Sequence, residues 1–165
     1  MRTSLEAGRS SSPDVLEKSA QIYMLDDKQI EHYWPHIEIS LDAAPELWSK
    51  WFTKETLLHR AYQGRLQVWV ICNEKDGPIN TVFFSQVMNT DVINFLHIFW
   101  MWGQGSLGAL KCAALAVGRF ARHTGCEEVL VTGRPGWVRI FKDAFGAEFR
   151  SVTVAFPVPK QLREN

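Results

Sequence analysis

The most informative segment of the chain reads Val92-Ile-Asn-Phe-Leu-His-Ile-Phe-Trp-Met-Trp-Gly-Gln-Gly-Ser-Leu-Gly108. Its first part is apolar enough to predict a strand, and its end is rich in glycine. Apolar side chains then recur at helical spacing from Leu107 to Arg122, and Gly125 is placed to end that helix. Because the first N–H groups of a helix lack partners, and glycine admits a ligand close to the backbone, the turn is a candidate anion site.

Two more strands are predicted directly before this segment. The runs Leu66–Cys72 and Ile79–Met88 are rich in β-branched and aromatic residues. Turn-forming stretches at 73–78 and 89–91 separate them from each other and from the strand Val92–Met101. The three strands are expected to form an antiparallel meander. Both of its faces are largely apolar, so both should be covered.

The first third of the chain is predicted to be mainly helical. Gln21–Leu25 is a short apolar strand, and Asp26 and Asp27 offer caps for a helix that Pro35 is expected to interrupt. A second helical stretch covers residues 45–63, with a break near Thr53.

The last part of the chain predicts a strand at Glu127–Thr132, a helix at Trp137–Phe145 and a strand at Phe149–Phe156. The complete order predicts an α+β fold, with a mixed, mostly antiparallel sheet and helices on both faces. We expect one such domain over residues 19–160. Residues 1–18 are too polar to fold alone and are expected to form an N-terminal arm.

Composition argues against several classes of partner. Lys and Arg together number 18, as do Asp and Glu, and no basic stripe is present, so no nucleic-acid partner is expected. No apolar stretch is long enough to predict a membrane span. The three cysteines share no C-x-x-C spacing, which is typical of reduced thiols in a protein made in a cytoplasm. His32 and His36 are four residues apart, but Pro35 disfavours a regular helix there and no third ligand is evident, so no metal is expected.

The element order over residues 20–156 resembles that of the GNAT-type N-acetyltransferases, and two local motifs carry the resemblance. In that family the amides of a Q/R-x-x-G-x-G/A turn hold the pyrophosphate of acetyl-CoA. One register on this chain places Trp102 at the Gln/Arg position and Leu107 at the last position. Another places Gly103 at the Gln/Arg position and Ser106 at the first glycine. Neither register matches completely, and no Lys or Arg lies between residues 102 and 110 to pair with phosphate.

The resemblance implies a set of residues that would contact acetyl-CoA if the chain binds it. They are Gly103, Gln104, Gly105, Ser106, Leu107 and Gly108.

The second motif is Gly136-Trp-Val-Arg-Ile-Phe-Lys-Asp-Ala-Phe-Gly-Ala147, which resembles the GNAT segment N-x-x-A-x-x-L-Y-E-K-L-G-F. Anchoring Gly146 on the motif glycine places Lys142 where these enzymes carry the Tyr that protonates the leaving CoA thiolate. A lysine has an ordinary pKa of about 10.4 and would need strong perturbation to act in the same way. Lys142 and His97 are the catalytic candidates if the chain is an enzyme. His97 is either a base for an amine substrate or a hydrogen-bonded core or surface histidine.

The chain also resembles small GNAT-like proteins of tailed phages, including the internal virion protein A family of short-tailed phages. A helical first third, the stretch Gly64-Arg-Leu-Gln-Val-Trp-Val70 and the ending Trp137–Phe149 carry this resemblance. It implies a virion-associated or assembly protein, made in the host cytoplasm and lacking a working acetyltransferase site and a cofactor.

Such a protein would act through contacts with other virion proteins or with itself. The polar arm and the seven Trp and ten Phe residues are consistent with a partner surface. The alternative function is that of an acetyl-CoA-dependent N-acetyltransferase acting on a small amine or on a protein.

Overall fold

The computed structural model describes residues 20–73, 77–104, 107–133 and 141–142. The chain divides into two compact units, Met1–Gly133 and Arg134–Asn165, and every helix and strand bounded below lies in the first unit. The predicted arm over residues 1–18 and the predicted last strand lie outside the described residues. The predicted domain boundaries therefore stay predictions.

Within the described part of the chain, five strands form one sheet in chain order. They are β1 (Gln21–Met24), β2 (Gln67–Cys72), β3 (Ile79–Asn89), β4 (Asn94–Gly103) and β5 (Glu128–Val131). Neighbours are antiparallel from β1 to β4, whereas β5 runs parallel to β4. A parallel pair needs a crossover connection, and helix α3 (Leu107–His123) lies in that connection. The predicted α+β fold and its antiparallel meander are confirmed.

Two helices lie between β1 and β2, namely α1 (Asp27–Asp42) and α2 (Lys54–Tyr62), with a short 3-10 helix at Pro45–Leu47. The predicted break near Thr53 is confirmed, because Thr53 caps α2 and its hydroxyl accepts a hydrogen bond from the Thr56 N–H at 3.2 Å. The predicted cap of α1 is also confirmed, since the Asp26 carboxylate accepts the Gln29 N–H at 2.9 Å.

The expected interruption of α1 at Pro35 is wrong, because the helix continues through this residue. A proline inside a helix costs about 3 kcal/mol. Four large side chains on one stripe of α1 are buried on both sides of Pro35, and burying one such side chain contributes about 1.5–3 kcal/mol. They are Ile30, Trp34, Ile37 and Leu41. Pro35 itself faces solvent, so packing outweighs the local cost.

The two faces of the sheet bury separate cores, as expected from a meander that is apolar on both faces. The α1/α2 face of the sheet contributes Val68, Val70, Val82, Phe84 and Trp100 to one core, together with the buried stripes of α1 and α2. The α3 face contributes Trp69, Ile71, Phe83, Leu96 and Ile98 to the other. α3 covers this face with Ala109, Ala113, Val117 and Ala121. These small side chains at a spacing of four residues let the helix pack closely on the sheet.

Candidate active site

A β-bulge divides β4 into two halves. The pairing of β4 with β3 steps from Ser85–Ile98 directly to Phe84–Trp100, so Phe99 is an extra residue without a partner on β3. Ile98 packs into the α3 core, whereas Phe99 and Trp100 both pack on the α1/α2 side. The bulge therefore reverses the alternation of side chains along β4. The sequence signal for it was the run of four large residues, Phe99–Trp102, which alternation alone does not explain.

The pairing of β4 with β5 ends at the same place. It extends from Phe95–Glu128 to Ile98–Val131, and the Thr132 N–H then donates to the Ile98 carbonyl at 2.9 Å. Beyond Ile98, the residues Trp100–Gly103 pair with β3 only, and the bulged Phe99 has no strand partner, among the residues that the structure describes. An unpaired strand edge offers N–H and C=O groups to an extended ligand that carries amides.

The open half of β4 ends at Gly103, and the structure explains why this residue is glycine. Gly103 has φ +143°, and an added Cβ would lie 2.1 Å from the Asn80 carbonyl oxygen on β3. The Gln104 N–H donates to the same carbonyl at 3.0 Å. Gly103 thus holds β4 close to β3, which is a packing role. That role does not require a ligand.

Helix α3 begins directly after this turn, at Leu107. Gly105, Ser106 and the side chain of Leu107 lie outside the described residues, whereas Gly108 is buried in the first turn of the helix. A third register of the acetyl-CoA motif, missed above, places Gln104 at the Gln/Arg position. It puts Ala109, which is buried, at the last position, where the motif accepts alanine. The start of the helix at Leu107 is the signal that favours this register.

His97 lies two residues before the bulge, in the same row as Phe99 on the α1/α2 side. Its side chain is half-buried, and burial holds the pKa of the imidazole below its ordinary value of 6.5. Its Nε2 atom lies 2.7 Å from the hydroxyl oxygen of Thr132, the residue that follows β5. His97 is therefore a hydrogen-bonded histidine that is neutral at pH 7 and still reaches solvent.

An aromatic wall lies beside His97, and it was not predicted from the sequence. We define it as Phe52, which precedes α2, with Phe84, Phe99 and Trp100 of the sheet. The Phe52 and Phe99 rings are 5.6 Å apart, and Phe84 stacks on Trp100 at 4.9 Å. Phe84 and Trp100 are fully buried, whereas Phe52 and Phe99 are half-buried and cover them. The Arg60 guanidinium lies over the Phe52 ring, 4.9 Å from its centre.

The other catalytic candidate, Lys142, is helical and exposed. It belongs to the second compact unit, and its neighbour Phe141 is half-buried. The remainder of the predicted helix Trp137–Phe145 lies outside the described residues. Whether Lys142 acts on a thiolate therefore stays a prediction.

Neither a cluster of metal ligands nor a membrane-spanning helix is present among the described residues. They contain no group of three or more His, Cys, Asp or Glu side chains that could hold a metal ion. No helix among them is long and apolar enough to cross a membrane.

Comparison with solved structures identifies the fold as that of the GNAT acetyltransferases. The chain aligns with an aminoglycoside acetyltransferase from an uncultured soil metagenomic sample, solved with sisomicin, at a TM-score of 0.67 and 18% identity. That alignment covers 87% of this chain and 99% of the other. A Trypanosoma brucei acetyltransferase aligns at a TM-score of 0.58 and 13% identity, over 84% of this chain and 100% of its own.

A glucosamine-6-phosphate N-acetyltransferase from Arabidopsis thaliana aligns at a TM-score of 0.55 and 14% identity, over 86% of this chain and 100% of its own. No family model matches the chain, and no curated protein matches its sequence. At these identities the comparisons establish the fold alone. The resemblance to phage proteins stays a prediction.

Proposed function

We propose that this protein binds acetyl-CoA and transfers its acetyl group to an amine. The observation that carries the proposal is the coincidence of three features at one point of β4. The bulge at Phe99, the end of the β5 pairing at Ile98 and the half-buried His97 all fall within three residues. The same fold occurs in solved structures of proteins named as acetyltransferases.

The open half of β4 suits the pantetheine arm of acetyl-CoA. This arm is extended and contains two amides, so it can pair, as an added strand would, with the edge of Phe99–Gly103 that has no strand partner on the β5 side among the described residues. The pyrophosphate would lie at the start of α3, a helix of 17 residues without an acidic residue in its first turn. When bound, acetyl-CoA would supply the thioester whose carbonyl carbon the amine attacks, and its carbon–sulfur bond would break so that CoA leaves as the thiol.

His97 would accept the proton that the acceptor ammonium group must lose. An amine attacks a carbonyl only through its free lone pair, and most amines are protonated at pH 7. In the tautomer whose Nε2–H donates to the Thr132 hydroxyl, Nδ1 of His97 carries a lone pair for this proton. The lowered pKa of His97 keeps that lone pair available at neutral pH.

The proposal predicts a separation between binding and transfer. Acetyl-CoA at about 100 times its dissociation constant should stabilise the protein by about 2.7 kcal/mol, a shift of several degrees in Tm. His97→Gln should keep this shift but lose at least tenfold in the rate of acetyl transfer to an amine panel. The matched control is His123→Gln, because His123 is exposed at the end of α3. An unchanged Tm at millimolar acetyl-CoA would refute the proposal.

A second candidate function is a virion-associated or assembly role without acetyl transfer. It is supported by Leu107, which stands at the first motif glycine when Gln104 takes the Gln/Arg position, and by the absence of Lys and Arg from residues 102–110. A further support is Trp51, whose side chain is 67% exposed, as is typical of residues at protein interfaces. This candidate predicts no response to acetyl-CoA. It also predicts that mass spectrometry finds the chain in purified phage particles.

A further inference from the structure

We infer that the acceptor is an amine whose apolar body ends in an anionic group, an inference that rests on the proposed acetyl transfer. Its amine would lie at His97, its body along Phe99 and Phe52, and its anionic group at Arg60.

The four residues form one continuous surface. The His97 and Phe99 rings are 6.1 Å apart, the Phe99 and Phe52 rings 5.6 Å, and the Arg60 Cζ atom lies 4.9 Å from the centre of the Phe52 ring. Each of the four side chains is half-buried and thus reachable by a ligand. Phe84, which lies 6.2 Å from Phe99 between ring centres, is fully buried below. A reachable apolar surface on a packed base suits a small ligand with an apolar body.

The positive charge of Arg60 favours a negative charge at the end of the acceptor that lies away from the amine. Among the described residues its guanidinium has no carboxylate partner, and its recorded contact is with the Phe52 ring. Nearby Lys54, in contrast, donates to the Asp42 carboxylate at 2.7 Å. A half-buried guanidinium beside an apolar surface retains several free donors in a planar fork, which matches a carboxylate or a phosphate.

The same surface disfavours a polycationic acceptor. No carboxylate among the described residues contacts His97, Phe99, Phe52 or Arg60 through a recorded hydrogen bond or ion pair. The pKa of His97 is lowered by burial of its side chain. A ligand with several ammonium groups would find one cation and no counter-charge here.

The test compares an acid with its methyl ester. 4-(Aminomethyl)phenylpropanoate has an amine, an aromatic body and a distal carboxylate, and its methyl ester replaces the charged oxygen by a neutral methoxy group. Calorimetry on the wild-type protein should give at least tenfold tighter binding for the acid. Arg60→Gln should reduce binding of the acid to the level of the ester and leave the ester unaffected. The corresponding phosphonic acid, run in parallel, distinguishes a phosphate-bearing acceptor from a carboxylate-bearing one.

The matched control is Arg65→Gln, because Arg65 is exposed just after α2 and has no recorded ring contact. Should Arg60→Gln fail to fold, Arg60→Lys keeps the charge but loses the fork, and it should weaken acid binding severalfold. Equal binding of acid and ester by the wild-type protein would overturn the inference.

The failure of this inference is distinguishable from the failure of the proposed function. A Tm shift with acetyl-CoA in the same wild-type sample, together with equal binding of acid and ester, refutes only the acceptor class. If acetyl-CoA does not shift the Tm, the proposed function is refuted. The difference in binding between acid and ester still tests whether Arg60 binds an anionic group.

Discussion

The two halves of β4 differ in how they are held. The first half, Asn94–Ile98, is bonded to β3 on one side and to β5 on the other. The second half, Phe99–Gly103, contacts β3 alone in the described part of the chain, through the paired residues Trp100–Gly103. The change occurs at a single inserted residue, Phe99. This one residue redirects the side chains that follow it and coincides with the release of the strand edge. Packing and ligand access are thereby coupled at one position, as is common for bulges beside functional sites.

The largest expected effect comes from removing a core side chain in each half. Trp100→Ala should cost about 3–5 kcal/mol in the free energy of unfolding, and Leu96→Ala about 2–5 kcal/mol, because both side chains are fully buried. Denaturant unfolding measures both. We expect only Trp100→Ala to weaken acetyl-CoA binding as well, since Trp100 supports the open half of the strand. Equal loss of binding in both variants would show that the halves are not distinct.

A smaller effect is expected at the end of the open half. Gly103→Ala places a Cβ against the Asn80 carbonyl and forces a residue with a side chain into φ +143°, so it should destabilise by about 1–3 kcal/mol. Gly118→Ala is the matched control, because Gly118 lies within α3 and a Cβ added there meets nothing within 4 Å. That control should instead stabilise by about 0.5–1 kcal/mol. Thermal unfolding of the two variants provides the measurement, and a neutral Gly103→Ala would contradict the packing role.

The smallest effect concerns His97, at the end of the doubly paired half. Because its pKa is lower in the folded protein than 6.5, the unfolded chain binds more protons below that pH. Its contribution to stability is therefore fully present above pH 6.5 and is lost as the pH falls through the folded pKa. His97→Gln should reduce the loss of stability at low pH. In the wild type, kcat/KM should also fall below pH 6.5. If the variant lost as much stability at low pH as the wild type, that loss would belong to another group.

Most strands and helices could be predicted because their signals are local. Runs of β-branched and aromatic residues with turn residues between them predicted the meander. Asp26 and Asp27 were candidate caps for α1, and the predicted break near Thr53 falls where α2 begins. The interruption at Pro35 was wrongly predicted because the opposing force is tertiary. The buried stripe of α1 gains more from packing against the sheet than the proline costs, and no local pattern reveals that balance.

The candidate site could be predicted only in part. His97 and the turn after Gly103 were identifiable as residue types at the end of an apolar strand. The bulge was not predicted, because the run of large residues Phe99–Trp102 departs from alternation without showing which residue is the extra one. The contact of Phe52, which carries Arg60 over its ring, with Phe99 depends on how the chain before α2 packs on the sheet, and it joins residues far apart in sequence.

The parallel pairing of β5 with β4 also bears on the order of folding. β2, β3 and β4 follow one another through short turns, so their contacts close small loops, whereas β5 reaches β4 only after the whole of α3. We expect truncation of Val131 to speed unfolding with little effect on the folding rate, and truncation of Val82 to slow folding, as stopped-flow chevrons would measure. In that order, the pairing of β5 with β4 that ends at Ile98 forms late. The segment that completes the site is then also the one that local opening exposes first.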